Sequence, residues 1–136
     1  LTPDAQWSVM EIKWGLIPDM TGTQTLRRLV RLDVAKELTF TGRIVSGSDA
    51  LGLGLVTRIS DDPLAAALAL AEDIAQRSPD AVRAAKRLYD ETWVSVDAAA
   101  ALRRESELQE NLIGKPNQIA AVVAGMSGEP PVFVDP

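Results

Sequence analysis

The spacing of apolar positions divides the 136-residue chain near Asp61-Asp62-Pro63 into two parts of different character. Before this boundary, the apolar repeats are short and some have a period of two. Beyond it, they follow the three-to-four-residue period of helices. We therefore predict two regions, 1–60 with short mixed elements and 61–136 with helices alone.

The first region contains two predicted strands and a loop. The loose alternation from Trp7 to Trp14 predicts a short strand that runs into a turn. The Gly- and Pro-containing stretch from Gly15 to Gly22 predicts a loop. The branched run Leu55-Val56-Thr57-Arg58-Ile59 is the clearest predicted strand of the chain.

Short helices are also predicted in the first region. One covers residues 22–31, with Leu26, Leu29 and Val30 inward and Arg27, Arg28 and Arg31 outward. The next runs from Asp33, its expected N-cap, to Phe40, with Gly42 just beyond its end. Ser46-Gly47-Ser48-Asp49 resembles a capping box and would start a third helix over Ala50–Leu53.

Four helices are predicted in residues 61–136. Asp62-Pro63 and Ser78-Pro79 combine an N-cap with a proline at the first helical position, Asp97 caps the third helix, and Asn117 caps a short fourth over Ile119–Met126. The predicted inward positions are Leu64, Leu68, Ala71 and Ala75, then Val82, Ala85 and Tyr89, then Ala101, Leu102, Leu108 and Leu112. Because little sheet is available to cover these helices, we expect some faces to pack on another subunit.

Charge and composition exclude several classes of function. The net charge is −5, and the acidic excess lies in residues 61–136, so neither nucleic acid nor an anionic membrane surface is an expected partner. The chain has no cysteine and no histidine, which excludes Ser-His-Asp and Cys-His hydrolysis and typical zinc sites within it. Acid–base work would fall to carboxylates, Lys, Tyr or backbone amides.

The sequence contains no apolar run of eighteen residues and no secretory signal, so we expect a cytoplasmic protein without a membrane span. The chain starts abruptly at Leu1 and leads straight into an apolar segment. We therefore expect an upstream part to be missing.

Two carboxylates near the start are the candidates for chemistry. Glu11 has apolar sequence neighbours, and their desolvation would make its carboxyl a usable acid–base group. Asp19 precedes a predicted helix, whose dipole would favour its charged form. The alternative is structural, because a lone Glu at a strand end is usually solvated and an Asp before a helix is usually a cap.

Three motifs carry a resemblance to the enoyl-CoA hydratase/isomerase (crotonase) superfamily. Glu11-Ile12-Lys13-Trp14-Gly15-Leu16-Ile17-Pro18, followed by Gly22-Thr23-Gln24 and Leu26, resembles the family segment P-E-V-x-x-G-L-I-P-G-x-G-G-T-Q-x-L. The runs from Ala35 to Arg43 and from Ser46 to Val56 resemble A-x-E-L-x-L-T-G-R/D and S-A-x-E-A-x-x-x-G-L-V. The three occur in the family order over residues 9–59.

The resemblance implies an α/β fold in which residues 1–60 are the C-terminal part of a ββα spiral core and residues 61–136 form a helical trimerisation region. It implies a homotrimer or a dimer of trimers that acts on acyl-CoA thioesters in fatty-acid β-oxidation, with coenzyme A as part of the substrate and no separate cofactor or metal. Glu11 matches a catalytic glutamate, while Pro18 and Gly22 match substrate-binding positions. The partner glutamate and the oxyanion hole would lie upstream of Leu1.

Departures from the family pattern leave alternatives open. Hydratases have glycine at the position of Asp19, and an aspartate eight residues after the glutamate resembles the dienoyl-CoA isomerases, in which the two carboxylates move protons along a conjugated acyl chain. A non-catalytic acyl-CoA-binding or self-associating member is a further alternative. Arg27, Arg28 and Arg31 could meet a coenzyme A phosphate or a neighbouring subunit, although a solvated helix face is the expected role.

Overall fold

The structure, a computed structural model, describes residues 1–95 and 97–135. The chain forms two compact units, which comprise Leu1–Ala67 and Leu68–Pro136. The described residues are mainly helical.

The first unit combines a two-residue antiparallel ladder with short helices. The ladder pairs Gln6 with Ser46 and Trp7 with Val45. Along the chain the elements are β1 (Gln6–Trp7), a 3-10 helix (Glu11–Trp14), α1 (Gly22–Leu26), α2 (Leu32–Thr41), β2 (Val45–Ser46) and α3 (Gly47–Leu53). The next helix, α4 (Pro63–Ala75), begins in this unit and ends in the second.

A small apolar core holds the first unit together. Its buried members are Val9, Leu26, Leu38, Val45 and Ala50. Leu38 and Val45 are completely buried, so the middle of α2 and the start of β2 lie at its centre. Burial of side chains of this size contributes about 1.5–3 kcal/mol each.

The capping box predicted at the start of α3 is confirmed. The Ser46 Oγ accepts a hydrogen bond from the Asp49 N–H, and the Asp49 carboxylate accepts one from the Ser46 N–H, which completes the capping box. Gly54 ends the helix in the left-handed conformation at φ 84°. The helix starts at Gly47 rather than at the predicted Ala50.

The short strand predicted to start at Trp7 is wrong beyond Trp7, whereas the turn predicted to follow it is present. Only Trp7 belongs to a strand, while Glu11–Trp14 form a 3-10 helix that Gly15 closes at φ 69°. The Gly15 and Leu16 N–H groups donate to the carbonyls of Ile12 and Glu11, and these turn bonds replace a strand ladder.

The predicted strand Leu55–Ile59 is also wrong, because no neighbouring strand supplies a ladder in the described residues. Leu55 and Val56 instead pack against the core as irregular chain. The Leu55 N–H donates to the Ala50 carbonyl at 2.9 Å, so it takes part in closing α3. The apolar side chains of Leu55 and Val56 therefore contribute to the core rather than to a β-ladder.

The helix predicted over residues 22–31 ends at Leu26. The Arg28 and Leu29 N–H groups donate to the carbonyls of Thr25 and Leu26, three residues back, which tightens the chain into turns. Leu26 is buried and Val30 packs on the core as predicted, but Leu29 is 46% exposed.

Asp33 is not the N-cap of α2, which starts one residue earlier and has Arg31 at its cap position. The Asp33 carboxylate accepts hydrogen bonds from the Arg31 guanidinium instead, which lowers the pKa of Asp33 to about 2. Gly42 ends α2 in the left-handed conformation, as predicted.

The second unit contains the end of α4, then α5 (Pro79–Thr92), α6 (Ala98–Glu110) and α7 (Pro116–Ser127). The predicted caps of α4, α5 and α6 are confirmed: Asp62, Ser78 and Asp97 each accept a hydrogen bond from the N–H three residues on. Helix α5 contacts both α6 and α7.

Several inward positions predicted in this unit are exposed. In α4 Leu64 and Leu68 are 69% and 56% exposed. In α5 Val82 is half-buried as predicted, but Ala85 and Tyr89 are exposed. Ala84 and Leu88 are half-buried instead, so the covered stripe beyond the first turn is shifted by one residue. Leu102 of α6 is exposed as well, whereas Ala101, Leu108 and Leu112 are half-buried.

Ion pairs connect α5 with α6. The Arg104 guanidinium donates to both Glu91 and Glu107, and Arg87 also donates to Glu91. The hydrogen bonds from Arg104 and then Arg87 lower the pKa of Glu91 to about 2. All four side chains retain solvent contact, so each pair adds little stability.

Asn117 is not the cap of α7, which starts at Pro116 with Lys115 at its cap position. Its side chain is 2% exposed and connects three segments. The amide N–H donates at 2.8 Å to the Asp80 carboxylate and to the Val134 carbonyl, and the amide oxygen accepts from the Val134 N–H at 2.8 Å. Asn117 therefore fastens the C-terminal segment to α5 and α7.

Across residues 1–95 and 97–135, no helix has both the length and the apolar character needed to cross a bilayer.

Replacement of Gly47 by Ala tests the packing of α3. A Cβ at Gly47 would lie 2.0 Å from the Thr2 carbonyl oxygen, whereas a Cβ at Gly52 of the same helix would meet nothing within 4 Å. We expect Gly47→Ala to lower the free energy of unfolding by about 1–3 kcal/mol or more, and Gly52→Ala to raise it by about 0.5–1 kcal/mol. Urea unfolding measures both, and equal effects would contradict the close approach.

Replacement of Asn117 by Ala tests the polar connection in the second unit. The variant loses three hydrogen bonds from a buried site, so we expect the free energy of unfolding to fall by about 2–3 kcal/mol. The matched control is Asn111→Ala, whose exposed amide bonds only within its own helix, with an expected change within about 0.5 kcal/mol. Urea unfolding that gives equal losses would show that Asn117 is not the connection described.

Candidate functional site

Glu11 opens the 3-10 helix, and its side chain is half-buried. The backbone holds it in a defined turn, because the Leu16 N–H donates to the Glu11 carbonyl at 3.1 Å and Gly15 adopts the left-handed conformation. The backbone of Glu11 is therefore held by a compact turn rather than by a strand.

The end of α2 fixes the segment that carries Glu11. The Ser8 hydroxyl donates to the Gly42 carbonyl at 2.8 Å. A Cβ added at Gly42 would lie 2.8 Å from Ile12 Cγ2, so only glycine fits this approach, and its φ of 59° favours glycine as well. In the chain, Glu11 lies between Ser8 and Ile12, the two residues that contact Gly42.

The sequence neighbours of Glu11 do not form the expected apolar enclosure. Ile12 is 41% exposed and Trp14 72% exposed. The Lys13 ammonium lies 5.5 Å from the centre of the Trp14 ring, where it makes a cation–π contact. The residues next to Glu11 in sequence therefore do not enclose its side chain.

Asp19 lies in the exposed loop before α1. It does not cap this helix, because Thr21 occupies the cap position and no side chain makes a cap hydrogen bond there. The structural role predicted for Asp19 is therefore wrong, and its carboxylate has solvent access.

Thr21 adopts a left-handed conformation at φ 61°, and within the described ranges it is the one residue other than glycine with a positive φ. For a β-branched residue this conformation is strained, with a cost of about 1–2 kcal/mol. The family pattern has glycine at this position, and the positive φ gives a physical reason for that glycine. This chain forms the turn with Thr21 in place of the glycine.

Pro18 and Gly22 are brought together by the loop. A Cβ at Gly22 would lie 2.7 Å from the Pro18 Cβ, so glycine is needed for this contact. Pro18 also lines a cavity of about 410 Å³ between the loop, α1 and α2. The apolar lining residues are Pro18, Leu26, Val30, Leu32, Ala35 and Phe40.

The polar lining of this cavity consists of Thr23, Thr39, Arg27 and Lys36. Neither Glu11 nor Asp19 is among the described residues that line it. Of the four predicted site residues, the structure places Pro18 in the cavity wall and Gly22 in contact with Pro18. Within residues 1–95 and 97–135, no group of three acidic, His or Cys side chains is arranged to hold a metal ion.

Sequence reasoning missed this cavity although a signal was present. Positions 32, 35, 36, 39 and 40 follow the i, i+3, i+4, i+7, i+8 spacing of a single helix face. The face combines apolar residues with one lysine and one threonine, and it forms a wall of the cavity.

Comparison with known proteins identifies relatives over almost the whole chain. The family model "Enoyl-CoA hydratase/isomerase" matches residues 1–127. The mouse enoyl-CoA hydratase domain-containing protein 2, mitochondrial, is 35% identical over 136 residues, which cover 96% of this chain and 46% of that protein. Mouse methylglutaconyl-CoA hydratase, mitochondrial, is 29% identical over 135 residues, 95% of this chain and 43% of the relative.

Solved structures agree with these matches. A probable enoyl-CoA hydratase/isomerase from Mycobacterium abscessus superposes with a TM-score of 0.91 at 31% identity and covers 100% of this chain and 55% of its own. An enoyl-CoA hydratase from Bacillus anthracis gives a TM-score of 0.90 at 31% identity, with 97% and 52% covered. The chain spans about half the length of these relatives. With the family motifs and the fold both matched, the chain belongs to the enoyl-CoA hydratase/isomerase family.

Proposed function

We propose that the protein acts on acyl-CoA thioesters by carboxylate acid–base proton transfer, with Glu11 as the acid–base group. The observation that carries the proposal is the place of Glu11, which matches the catalytic glutamate of the family motif and is half-buried on a turn anchored to α2. Coenzyme A enters as part of the substrate, and no separate cofactor is proposed.

Hydration of a 2-enoyl thioester illustrates the role of such a carboxylate. The carboxylate accepts a proton from water as the water oxygen forms a bond to Cβ, and the electron pair of the double bond moves toward the thioester as an enolate. A proton delivered to Cα then completes the product. The enolate oxygen requires hydrogen-bond donors, and a second acid–base group assists. We assign neither of these to a residue of this chain.

Replacement of Glu11 by Gln tests the proposal. Loss of the ionisable group should lower the rate of hydration of crotonyl-CoA at least about 100-fold, whereas binding of the thioester should persist. The rate is followed in the whole protein by the absorbance of the conjugated enoyl thioester. Glu105→Gln on α6 is the matched control and should retain full activity. Full activity of Glu11→Gln would overturn the proposed role.

The second candidate is a dienoyl-CoA isomerase that uses Glu11 and Asp19 as a pair. The observation in its favour is that Asp19 caps no helix, so the structure supplies no local structural reason for an aspartate at a position where hydratases have glycine. Two carboxylates could remove a proton at one carbon of a conjugated chain and return it at another.

Replacement of Asp19 by Asn separates the two activities. If the pair acts as an isomerase, we expect isomerisation of a 3,5-dienoyl-CoA to fall at least about 100-fold, with hydration of a 2-enoyl-CoA much less affected. Both reactions are followed by ultraviolet absorbance and by chromatography of the products. An unchanged isomerisation rate would leave Asp19 without a catalytic role.

A non-catalytic acyl-CoA-binding or self-associating member is the third candidate. The exposure of Ile12 and Trp14 beside Glu11 is compatible with it, because this unit alone does not exclude water from the carboxylate. Tight binding of an acyl-CoA without turnover, unaffected by Glu11→Gln, would favour this candidate over both enzymes.

A homotrimer or a dimer of trimers is proposed for the assembled protein. Exposed apolar side chains on α4 and α7 support self-association, because soluble proteins rarely leave such faces uncovered. These are Leu64, Leu68, Leu70 and Ile74 on α4 and Ile119, Val122, Val123 and Met126 on α7. The cytoplasmic location stays a prediction, since two of the relatives are named as mitochondrial proteins.

A further inference from the structure

The cavity beside Pro18 has an unbalanced positive charge. Arg27 and Lys36 line it, no acidic residue does, and neither cation forms an ion pair among the described residues. The two acids of α2 are engaged elsewhere, Asp33 with Arg31 and Glu37 with Arg43. Among the described residues, the lining therefore presents two unpaired cations beside a mainly apolar wall.

This combination of charge and shape selects one class of ligand. An apolar wall favours a hydrocarbon chain, and two unpaired cations favour an anion at the end of that chain. The hydroxyls of Thr23 and Thr39 add further hydrogen-bond donors to the lining. A volume of about 410 Å³ is within the range of small-ligand sites.

Helix α2 connects the cavity with the proposed acid–base group. One face of α2 forms a cavity wall, and the same helix contacts the 3-10 helix that Glu11 opens. The loop from Gly15 to Pro18 continues from that 3-10 helix to the cavity edge. The cavity wall and the backbone segment that carries Glu11 are therefore held by the same helix within this unit.

We propose that this cavity binds the far carboxylate of an acyl chain, so that the preferred substrates are thioesters of dicarboxylic acids, with Arg27 and Lys36 as the specificity-determining residues. The proposal rests on the proposed function, since it names the class of thioester on which the proposed acid–base group would act. It concerns binding and selectivity and adds no chemical step.

Two thioesters of equal chain length test the inference. Glutaconyl-CoA and trans-2-pentenoyl-CoA share a five-carbon 2-enoyl chain and differ only in a terminal carboxylate or methyl group. The whole protein should hydrate glutaconyl-CoA with a kcat/KM at least about tenfold higher, and Arg27→Gln or Lys36→Gln should each lower that ratio about fivefold. Arg28→Gln, an exposed cation outside the lining, is the matched control and should leave the ratio unchanged.

Direct binding separates failure of this inference from failure of the proposed function. Hexanoate and hexan-1-ol are titrated into the whole protein and followed by nuclear magnetic resonance, which needs no turnover. We expect hexanoate to bind more tightly, and the difference to vanish in Arg27→Gln,Lys36→Gln. Turnover of both thioesters with no preference for glutaconyl-CoA, or equal binding of the acid and the alcohol, would overturn the inference. Absence of any turnover together with selective binding of hexanoate would overturn the proposed function alone.

Discussion

The attachment of the segment before Glu11 to the end of α2 is the interaction on which the first unit depends. Leu38 in the middle of α2 is completely buried, and Gly42 at its end accepts the hydrogen bond from Ser8 and admits the Ile12 side chain. Because Gly42 has no Cβ, the two segments approach closely enough for the 3-10 helix to form against α2. A single helix thereby holds the backbone segment of Glu11 with its end and forms one wall of the cavity with one face.

The second unit is held by a different kind of contact. Its buried residues in the described ranges are polar, Ser78 and Asn117, whereas its apolar positions are half-buried or exposed. Ser78 caps α5, while Asn117 connects α5, α7 and the C-terminal segment. Buried polar contacts of this kind fix geometry, and their loss destabilises the fold because it leaves partners without hydrogen bonds. The helices keep apolar faces available, which is the physical basis for the proposed subunit contact.

The candidate site could be predicted from the sequence only in part. The family motif predicted Glu11, Pro18 and Gly22 as site residues, a departure from that motif added Asp19, and the chain does belong to the family. The positive charge of the cavity could not be predicted, because it depends on which cations remain unpaired among the described residues. That depends in turn on the ion pairs of Arg31 with Asp33 and of Arg43 with Glu37. The spacing on α2 indicated a helix face, but not that Arg27 would join Lys36 beside it.

The sequence by itself determined the features that arise within a few residues. The capping box at Ser46, the caps at Asp62, Ser78 and Asp97 and the glycine at the end of α2 all involve hydrogen bonds or dihedral angles local to a single turn. Tertiary structure alone decided that Leu55–Ile59 would pack without a ladder, that Asn117 would be a buried connection rather than a cap, and that the stripe on α5 would shift by one residue. Strand pairing, burial and charge balance depend on partners distant in sequence, and a local pattern specifies only what a segment can do, not which partner it meets.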